Sequence, residues 1–371
     1  MTIEVDILVV GLGPAGASAA AAAAEAGCSV LAVDRKSSAG EPVQCAELVT
    51  GMIGPEFGDM RQVIDQDIAR MVTYVEDEPP HVTDPFPGHM IDRAAFDQSL
   101  ITAAQALGVQ CRFGTGLREI TPQGAVLSDG EQLTARLIIG ADGPRSKVAA
   151  AVGQSNTELV EARQITVPLS APHDATDIYL SGTIPGGYGW LFPKADVAHI
   201  GIGVDSRHRH LLAELLNDLH QRLIEEGRVG ETILKTTGGA IPVGGLRQVL
   251  TRIGSCPVLL AGDAAGLANP VTGAGINSAV ISGRMAGEAA AQWCAGDNSA
   301  LDEYGEEIES LFGTALARAK DRRAEITAVF DNNEQPSAEQ MRRSWIAFDA
   351  YWHTLKSQQP IGERAHVLSE A

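Results

Sequence analysis

Cysteine is scarce in this sequence, and its pattern argues against a crosslinked or zinc-stabilised domain. The 371 residues contain five cysteines, scattered, odd in number and never spaced as Cys-x-x-Cys: Cys28, Cys45, Cys111, Cys256 and Cys294. Neither a disulfide framework nor a zinc site is expected, and a reducing compartment fits best. His208 and His210 are spaced like a metal pair but have no third ligand nearby, so we predict no metal.

A surplus of positive charge and long apolar runs are also lacking. The net charge is -19 at pH 7, which makes nucleic acid a poor partner and does not favour electrostatic docking on anionic lipid. No apolar stretch is long enough to span a bilayer. Glu4 and Asp6 precede the first apolar run, so we expect no signal peptide. We predict a cytoplasmic protein and leave peripheral membrane contact and the oligomeric state open.

The first 34 residues have the pattern of a βαβ unit. Residues 5–10 are apolar and largely β-branched, as in a buried parallel strand, and 29–33 predict a second one. Between them, a glycine turn leads into a predicted helix over 15–26 that ends at Gly27. Further along, the pattern predicts helices over 92–107, 211–226 and 274–295, strands within 109–140, 160–205 and 257–261, and a polar helical tail beyond 300.

The glycine turn carries a dinucleotide-binding fingerprint in the required strand–turn–helix context. Its residues are Gly11, Leu12, Gly13, Pro14, Ala15 and Gly16. The glycines permit a tight turn, close approach to a pyrophosphate and close helix–strand packing, and the helix N-terminus offers unpaired N–H groups to phosphate. Asp34, followed by Arg35, ends the second strand at the distance where a carboxylate can hold ribose hydroxyls. A glycine turn without a ligand is the alternative.

Two downstream segments favour FAD over NAD as the dinucleotide. Residues 260–277 read as a buried strand, then Gly262 and Asp263, then a glycine-rich turn into a helix. A carboxylate here suits a ribityl hydroxyl, and the helix start around Gly273, Gly275 and Ile276 can direct its positive end at the flavin pyrimidine. Residues 138–147 repeat the pattern of a strand followed by a turn, which contains Asp142. Taken singly, each segment is also compatible with a plain turn or helix cap.

Together these segments resemble the aromatic-hydroxylase-type flavoprotein superfamily. That resemblance implies FAD as cofactor and places Arg93, in the segment 91–97, near its pyrophosphate or ribityl chain; a solvated arginine is the alternative. The expected fold is α/β, a Rossmann-like FAD-binding domain interleaved with a mixed β-sheet substrate domain. We assign 1–71, 92–158 and 252–300 to the FAD-binding domain, 72–91 and 159–251 to the substrate domain, and 301–371 to a C-terminal helical segment whose role stays open.

Two more segments narrow the resemblance to one branch. Residues 36–49 and 186–204 resemble the geranylgeranyl reductase family, which saturates C=C bonds of prenyl chains; the more specific string is Tyr-Gly-Trp-Leu-Phe-Pro-Lys at 188–194. The sequence departs from the family at Ala46, where a glycine is common. Reduction of an isolated C=C bond needs an acidic group within reach of the substrate, and the candidate catalytic residues are Cys45, Glu47 and Tyr188, which the sequence does not rank.

The residues alone give a weaker reading of the same string. Tyr188, Trp190 and Phe192 alternate as on one face of a strand, where they could line an apolar substrate channel. An aromatic core stripe is the alternative, and on periodicity alone it is favoured. Cys45 could be a small buried hydrophobe and Lys194 a solvated charge at a strand end.

We therefore predict an FAD-dependent oxidoreductase that acts on CH–CH groups, reducing an isoprenoid chain such as a geranylgeranyl or polyprenyl group. A flavin monooxygenase or halogenase of the same superfamily is the alternative, and a non-catalytic FAD-bearing protein is a third. The expected partners are a hydrophobic prenyl substrate and an electron donor, either NAD(P)H or a reduced carrier. No second Gly-x-Gly-x-x-Gly is present, so no dedicated NAD(P)H domain is expected.

Overall fold

Three β-sheets organise the protein, whose structure is a computed structural model that describes residues 3–51, 57 and 60–353. The largest has eight strands in the order β17-β18-β11-β1-β2-β8, with β10 and β9 added beside β11. Its strands, numbered in chain order, are β1 (Ile3–Val10), β2 (Val30–Asp34), β8 (Gln110–Phe113), β9 (Leu117–Thr121), β10 (Gly124–Leu127), β11 (Gln132–Gly140), β17 (Leu250–Ile253) and β18 (Cys256–Leu260). The strands from β18 to β8 are parallel, as the predicted βαβ unit requires.

A seven-stranded sheet in the order β16-β12-β15-β14-β13-β5-β6 lies beside the first. Its strands are β5 (Arg70–Val75), β6 (His81–Thr83), β12 (Leu159–Pro168), β13 (Ala175–Leu180), β14 (Gly189–Lys194), β15 (Val197–Asp205) and β16 (Lys235–Pro242). Neighbours run antiparallel except β13 and β5, which are parallel. The mixed sheet confirms the predicted α/β class with two interleaved sheets.

A small third sheet joins the two larger ones, in the order β3-β7-β4. Its strands are β3 (Leu48–Thr50), β4 (Ile64–Ile68) and β7 (Gly88–Ile91). Sequence periodicity did not reveal it. The proposed boundary between residues 71 and 72 falls inside β5, and β7, which we had grouped with the substrate domain, pairs with β3 and β4 instead. The assignment of the ranges to functional domains stays a prediction.

The helices pack on the first sheet, on the seven-stranded sheet (α4, Leu212–Glu225) and in the C-terminal segment. They are α1 (Pro14–Glu25), α2 (Arg93–Ala106), α3 (Lys147–Ala151), α4 (Leu212–Glu225), α5 (Ile276–Cys294), α6 (Ala300–Ile308), α7 (Thr314–Asp331), α8 (Ala338–Arg343) and α9 (Asp349–Trp352). Asp92 caps α2, its carboxylate accepting from the Ala95 N–H. A π-helical turn, Glu309–Gly313, connects α6 with α7.

The small residues of α5 have a specific packing reason. A Cβ on Gly283 would lie 2.1 Å from the carbonyl oxygen of Ala15, and one on Gly287 would lie 2.2 Å from that of Ala19. The close partner along these turns of α5 is helix α1. In the described part of the chain no helix is long and apolar enough to cross a membrane.

Candidate active site

One cavity of about 770 Å³ joins the dinucleotide-binding turn to the face of the seven-stranded sheet. At one end, its wall includes the α1 turn and the start of α5; elsewhere it includes strands β12, β13 and β14 and residues of the C-terminal segment. The predicted cofactor residues and the predicted aromatic substrate residues, far apart in sequence, therefore face the same space.

The start of α1 forms an open cradle. Gly11 has a φ of +101°, and a Cβ there would lie 2.2 Å from the Ala141 carbonyl oxygen, so only glycine fits. Gly13 is the N-cap, with no atom within 4 Å of its would-be Cβ and no side chain capping the helix. With Pro14 next in the helix and Ala15 also in the wall, the unpaired N–H groups are free for a phosphate. A Cβ on Gly16 would collide with the Gly11 carbonyl oxygen, so this glycine allows close packing within the turn and does not line the cavity.

Asp34 lines the cavity and also fixes the turn. One carboxylate oxygen accepts from the Leu12 N–H at 2.7 Å and the other from the Lys36 N–H at 2.8 Å. Each oxygen keeps a lone pair that could accept a ribose hydroxyl. Arg35 is exposed at the cavity rim. The predicted acidic residue therefore lies at the place that the fingerprint requires.

The second cofactor segment meets the first from the opposite side. Asp263 lies in the wall, and its carboxylate has no hydrogen-bond partner among the described residues. Burial raises the pKa of Asp263 to about 6, against an opposing effect of Arg93. Gly275 begins α5 without a side-chain cap, and it lines the cavity together with Gly273 and Ile276. Gly262 packs against Ala15 and is not part of the cavity wall.

Asp142 and Arg93 also line the cavity, but both have protein partners. Asp142 accepts from the Ser146 hydroxyl and, at 2.7 Å, from the Lys147 N–H, and burial raises its pKa. Arg93 donates to both oxygens of Asp97, at 2.9 and 3.0 Å. It is half-buried and oriented by that pair, not solvated.

These residues fit FAD. Two helix N-termini without a side-chain cap face one cavity, and Asp263, whose carboxylate has no hydrogen-bond partner among the described residues, lines the same cavity. Such N-termini bind phosphate and stabilise negative charge on a ring, and such a carboxylate accepts hydroxyl groups. The residues that would hold the group are those of the α1 turn, Asp34, Asp263 and the start of α5.

Glu47 lies at the centre of a buried charged cluster beside the cavity. Its Oε2 is 2.9 Å from Lys194 Nζ and 3.5 Å from His199 Nε2, and its Oε1 accepts from the Arg93 N–H at 3.0 Å. Lys194 is also 3.1 Å from Asp65. The suggestion that Lys194 is a solvated strand-end charge is thus wrong, because two carboxylates bind it.

The turn that carries Cys45 is tied to this cluster. Glu47 has a φ of +64°, rare for a residue with a side chain, and its N–H contacts Cys45 Sγ at 3.2 Å. The Gln164 amide donates to the Cys45 carbonyl at 3.4 Å. Cys45 is half-buried in the cavity wall, and its sulfur interacts electrostatically with Arg93. It is therefore not simply a buried hydrophobe.

The aromatic string forms one side of the cavity. Trp190 and Phe192 are 6% and 4% exposed and belong to an apolar cluster, yet both line the cavity with Tyr188. The Trp190 indole donates to Gln164 Oε1 at 3.0 Å, and a Cβ on Gly201 would lie 2.1 Å from its ring. Core and channel wall, which we had set against each other, are thus the same residues.

The comparisons with known proteins agree with this geometry. A family model described as an FAD binding domain matches residues 65–319. The chain is 31% identical over 344 residues to digeranylgeranylglycerophospholipid reductase 2 of Methanopyrus kandleri, covering 86% of each chain. The chain belongs to the geranylgeranyl reductase family of FAD-dependent oxidoreductases. A second member, the digeranylgeranylglycerophospholipid reductase of Methanocella arvoryzae, is 32% identical over 372 residues, covering 92% of each chain.

A solved structure supports the fold of this reductase family member. The geranylgeranyl bacteriochlorophyll reductase-like protein of Thermoplasma acidophilum superposes with a TM-score of 0.79 at 24% identity, covering 93% of this chain and 96% of that one. The predicted family, fold class, FAD cofactor and oxidoreductase class are confirmed.

Several residues of this reductase's site were missed by sequence reasoning. Gln164, His199 and Asp65 join the Glu47 and Cys45 surroundings, and Trp345 and Phe312 bring the C-terminal segment into the cavity wall. One signal was present: alternating Gly201 and Gly203 on β15 leave room for the Trp190 ring. The tail residues carried no signal, because their partners are fixed only by tertiary packing.

Proposed function

We propose that this flavoenzyme saturates C=C bonds of an isoprenoid chain, such as a geranylgeranyl or polyprenyl group. The observation that carries the proposal is one cavity that has helix N-termini at one end and, elsewhere, an aromatic stretch of wall formed by Tyr188, Trp190, Phe192 and Trp345. Such a wall suits a hydrocarbon chain. The printed names of the curated relatives, which are reductases of geranylgeranyl lipids, support the same substrate class.

The residues around the cavity favour one proton donor. Reduced FAD, held by the α1 turn, Asp34, Asp263 and the start of α5, would supply the hydride chemistry. An isolated alkene accepts hydride poorly, so an acid must protonate one carbon of the double bond. Both oxygens of Glu47 accept from protein donors, one from Lys194 Nζ at 2.9 Å and the other from the Arg93 N–H at 3.0 Å, so this side chain is held by the protein and not directed at a substrate. The Tyr188 hydroxyl donates to the Thr272 carbonyl at 2.6 Å, and burial raises its pKa.

Cys45 remains as the candidate acid. Its thiol lies in the wall, and the proton would pass from sulfur to carbon, leaving a thiolate. Water then returns the proton to sulfur. Trp190 and Phe192 would hold the chain and exclude water. NAD(P)H or a reduced carrier would supply the electrons, in a cytoplasmic protein with peripheral access to membrane lipid.

The test is anaerobic incubation of the reduced FAD enzyme with prenyl diphosphates, prenylated quinones and prenyl lipids, followed by mass spectrometry. A saturated product is expected from at least one class. Cys45→Ala should lower the rate of its formation by about 10²–10⁴-fold with a normal FAD spectrum. Cys111→Ala is the matched control, because Cys111 is half-buried in β8 and away from the cavity wall.

The monooxygenase or halogenase alternative makes a different product. Under this alternative, incubation in air with an electron donor and halide should yield an oxygenated or halogenated product. Such a compound, together with no saturated product from any substrate class, would overturn the proposed reduction. The reductase relatives favour reduction.

A further inference from the structure

Trp345 brings the C-terminal segment to the substrate side of the cavity. It follows α8, is 3% exposed, and lines the cavity together with Ile346. It packs in the same apolar cluster as Met71 of β5 and Ile178 of β13. The apolar part of the cavity is thus enclosed between the face of the seven-stranded sheet and this segment.

Trp345 ends a continuous row of aromatic rings. Ring centroids are 6.1 Å apart between Phe192 and Trp190, 5.7 Å between Trp190 and Tyr188, and 4.8 Å between Tyr188 and Trp345. At its other end the row is adjacent to Lys194, which binds Glu47 in the cluster next to Cys45. A chain lying along the row from the Cys45 end would meet the Trp345 indole last.

The position of Trp345 is fixed from behind by a buried arginine. Arg322 of α7 is 1% exposed, and its guanidinium donates to the carbonyls of Ala350 at 3.2 Å, Tyr351 at 3.0 Å and His353 at 2.5 Å. The Ser344 hydroxyl donates in turn to the Arg322 carbonyl at 3.3 Å. These bonds tie both sides of Trp345 to α7, so the indole cannot easily yield to a longer chain.

Packing alone, without a polar contact, holds the indole. Its Nε1 is buried and has no hydrogen-bond partner in the described part of the chain. Replacement by phenylalanine therefore removes volume without breaking a hydrogen bond, and the space gained opens toward the cavity.

We propose that Trp345 is a specificity-determining residue that terminates the apolar channel and limits the length of isoprenoid chain that the enzyme accepts. The inference rests on the proposed function, and it adds to it the residue that sets chain length. Removing ring volume should admit a longer chain, and adding volume at Ile346 should exclude one that is now accepted.

The experiment compares kcat/KM for geranyl, farnesyl, geranylgeranyl and geranylfarnesyl diphosphates. In Trp345→Phe and Trp345→Ala, the ratio of the longer to the shorter substrates should rise by about tenfold, the size of discrimination that small volume changes give in apolar pockets. Ile346→Trp should lower the same ratio by a similar factor. Trp293→Phe is the control, since Trp293 packs on the other core, outside the cavity wall.

A second measurement separates this inference from the proposed function. Calorimetry can measure the binding of prenyl alcohols of the same lengths to the FAD-loaded protein. This measurement needs no turnover. If the wild type saturates no substrate, the proposed function fails. A binding preference that shifts toward longer prenyl alcohols in Trp345→Phe still supports Trp345 as the residue that limits chain length. If length preferences in both assays stay within about twofold of wild type in Trp345→Phe and Ile346→Trp, the inference is overturned. These milder variants decide the matter if Trp345→Ala does not fold.

Discussion

Lys194 and Glu47, 147 residues apart in the chain, form an ion pair with 2.9 Å between Nζ and Oε2 beside the cavity. Burial alone would lower the pKa of Lys194, but the hydrogen bonds and charges of Glu47 and Asp65 outweigh it and leave this pKa above its ordinary value. The pair connects the end of β14 to the turn that carries Cys45, so the strand that holds the aromatic wall also holds the candidate acid.

Lys194→Met should therefore affect both stability and catalysis. Removing one partner leaves the Glu47 carboxylate buried without its cation, which should cost about 3 kcal/mol of unfolding free energy. The left-handed Glu47 backbone loses an anchor, so we expect a lower kcat at unchanged FAD content. Denaturant unfolding and single-turnover kinetics measure these effects. Lys320→Met, an exposed lysine on α7, should change neither. Partial rescue by Lys194→Arg is expected, and equal kinetics in Lys194→Met and wild type would argue against a positioning role.

Asp263→Ala should weaken FAD binding by about 1.5–3 kcal/mol, the contribution of a charge-assisted hydrogen bond. The carboxylate has no protein hydrogen-bond partner in the described chain, so the apoprotein should melt at the wild-type temperature or above it. A flavin titration and a melting curve give both quantities. Asp218→Ala, on the exposed face of α4, is the control. Unchanged FAD affinity would reduce Asp263 to a local acceptor, as one reading of the sequence had it.

The same carboxyl predicts a pH dependence of the apoprotein. The folded pKa of Asp263, about 6, is above the ordinary value of 3.8, so the folded state binds more protons between these values. Its contribution to stability is therefore present at low pH and lost as pH rises from about 4 through 6. The difference in apoprotein stability between wild type and Asp263→Asn, measured by melting at pH 4.5 and pH 7, should show this loss. A wild type that gains stability relative to Asp263→Asn as pH rises would contradict the prediction.

Trp190→Ala should lower the melting temperature and raise KM together. The indole is buried against Gly201 and bonded to Gln164, so truncation should cost about 3–5 kcal/mol. Because the same ring lines the cavity, the folded fraction should also bind a long prenyl substrate more weakly. Trp190→Phe keeps most of the wall and should separate the two effects. A melting drop without any KM change in either variant would show that the ring serves only the core.

Tyr188→Phe tests the assignment of the acid. The phenol donates to the Thr272 carbonyl, so its removal should cost about 1 kcal/mol of stability. If Cys45 supplies the proton, kcat should fall by less than about tenfold. A loss as large as that of Cys45→Ala would transfer the role of acid to Tyr188.

Local patterns predicted much of the fold and the cofactor site. Gly11 and Gly13 act within one turn, and Asp34 reaches that turn from the next strand of the same βαβ unit. The short sheet of β3, β4 and β7 was missed because its strands have few residues and weak alternation. Lys194 was misjudged because its two carboxylate partners, Glu47 and Asp65, come from distant segments.

Short-range patterns were enough to predict the βαβ unit, the glycine turn of the candidate FAD site and the aromatic strand, because each depends on backbone conformation and side-chain alternation within a few residues. Only tertiary packing pairs Glu47 with Lys194, places Trp190 in both core and wall, and brings Trp345 into the cavity wall. Those contacts arise where separate elements pack together, and the free energy of burial that selects them depends on neighbours that no local pattern encodes.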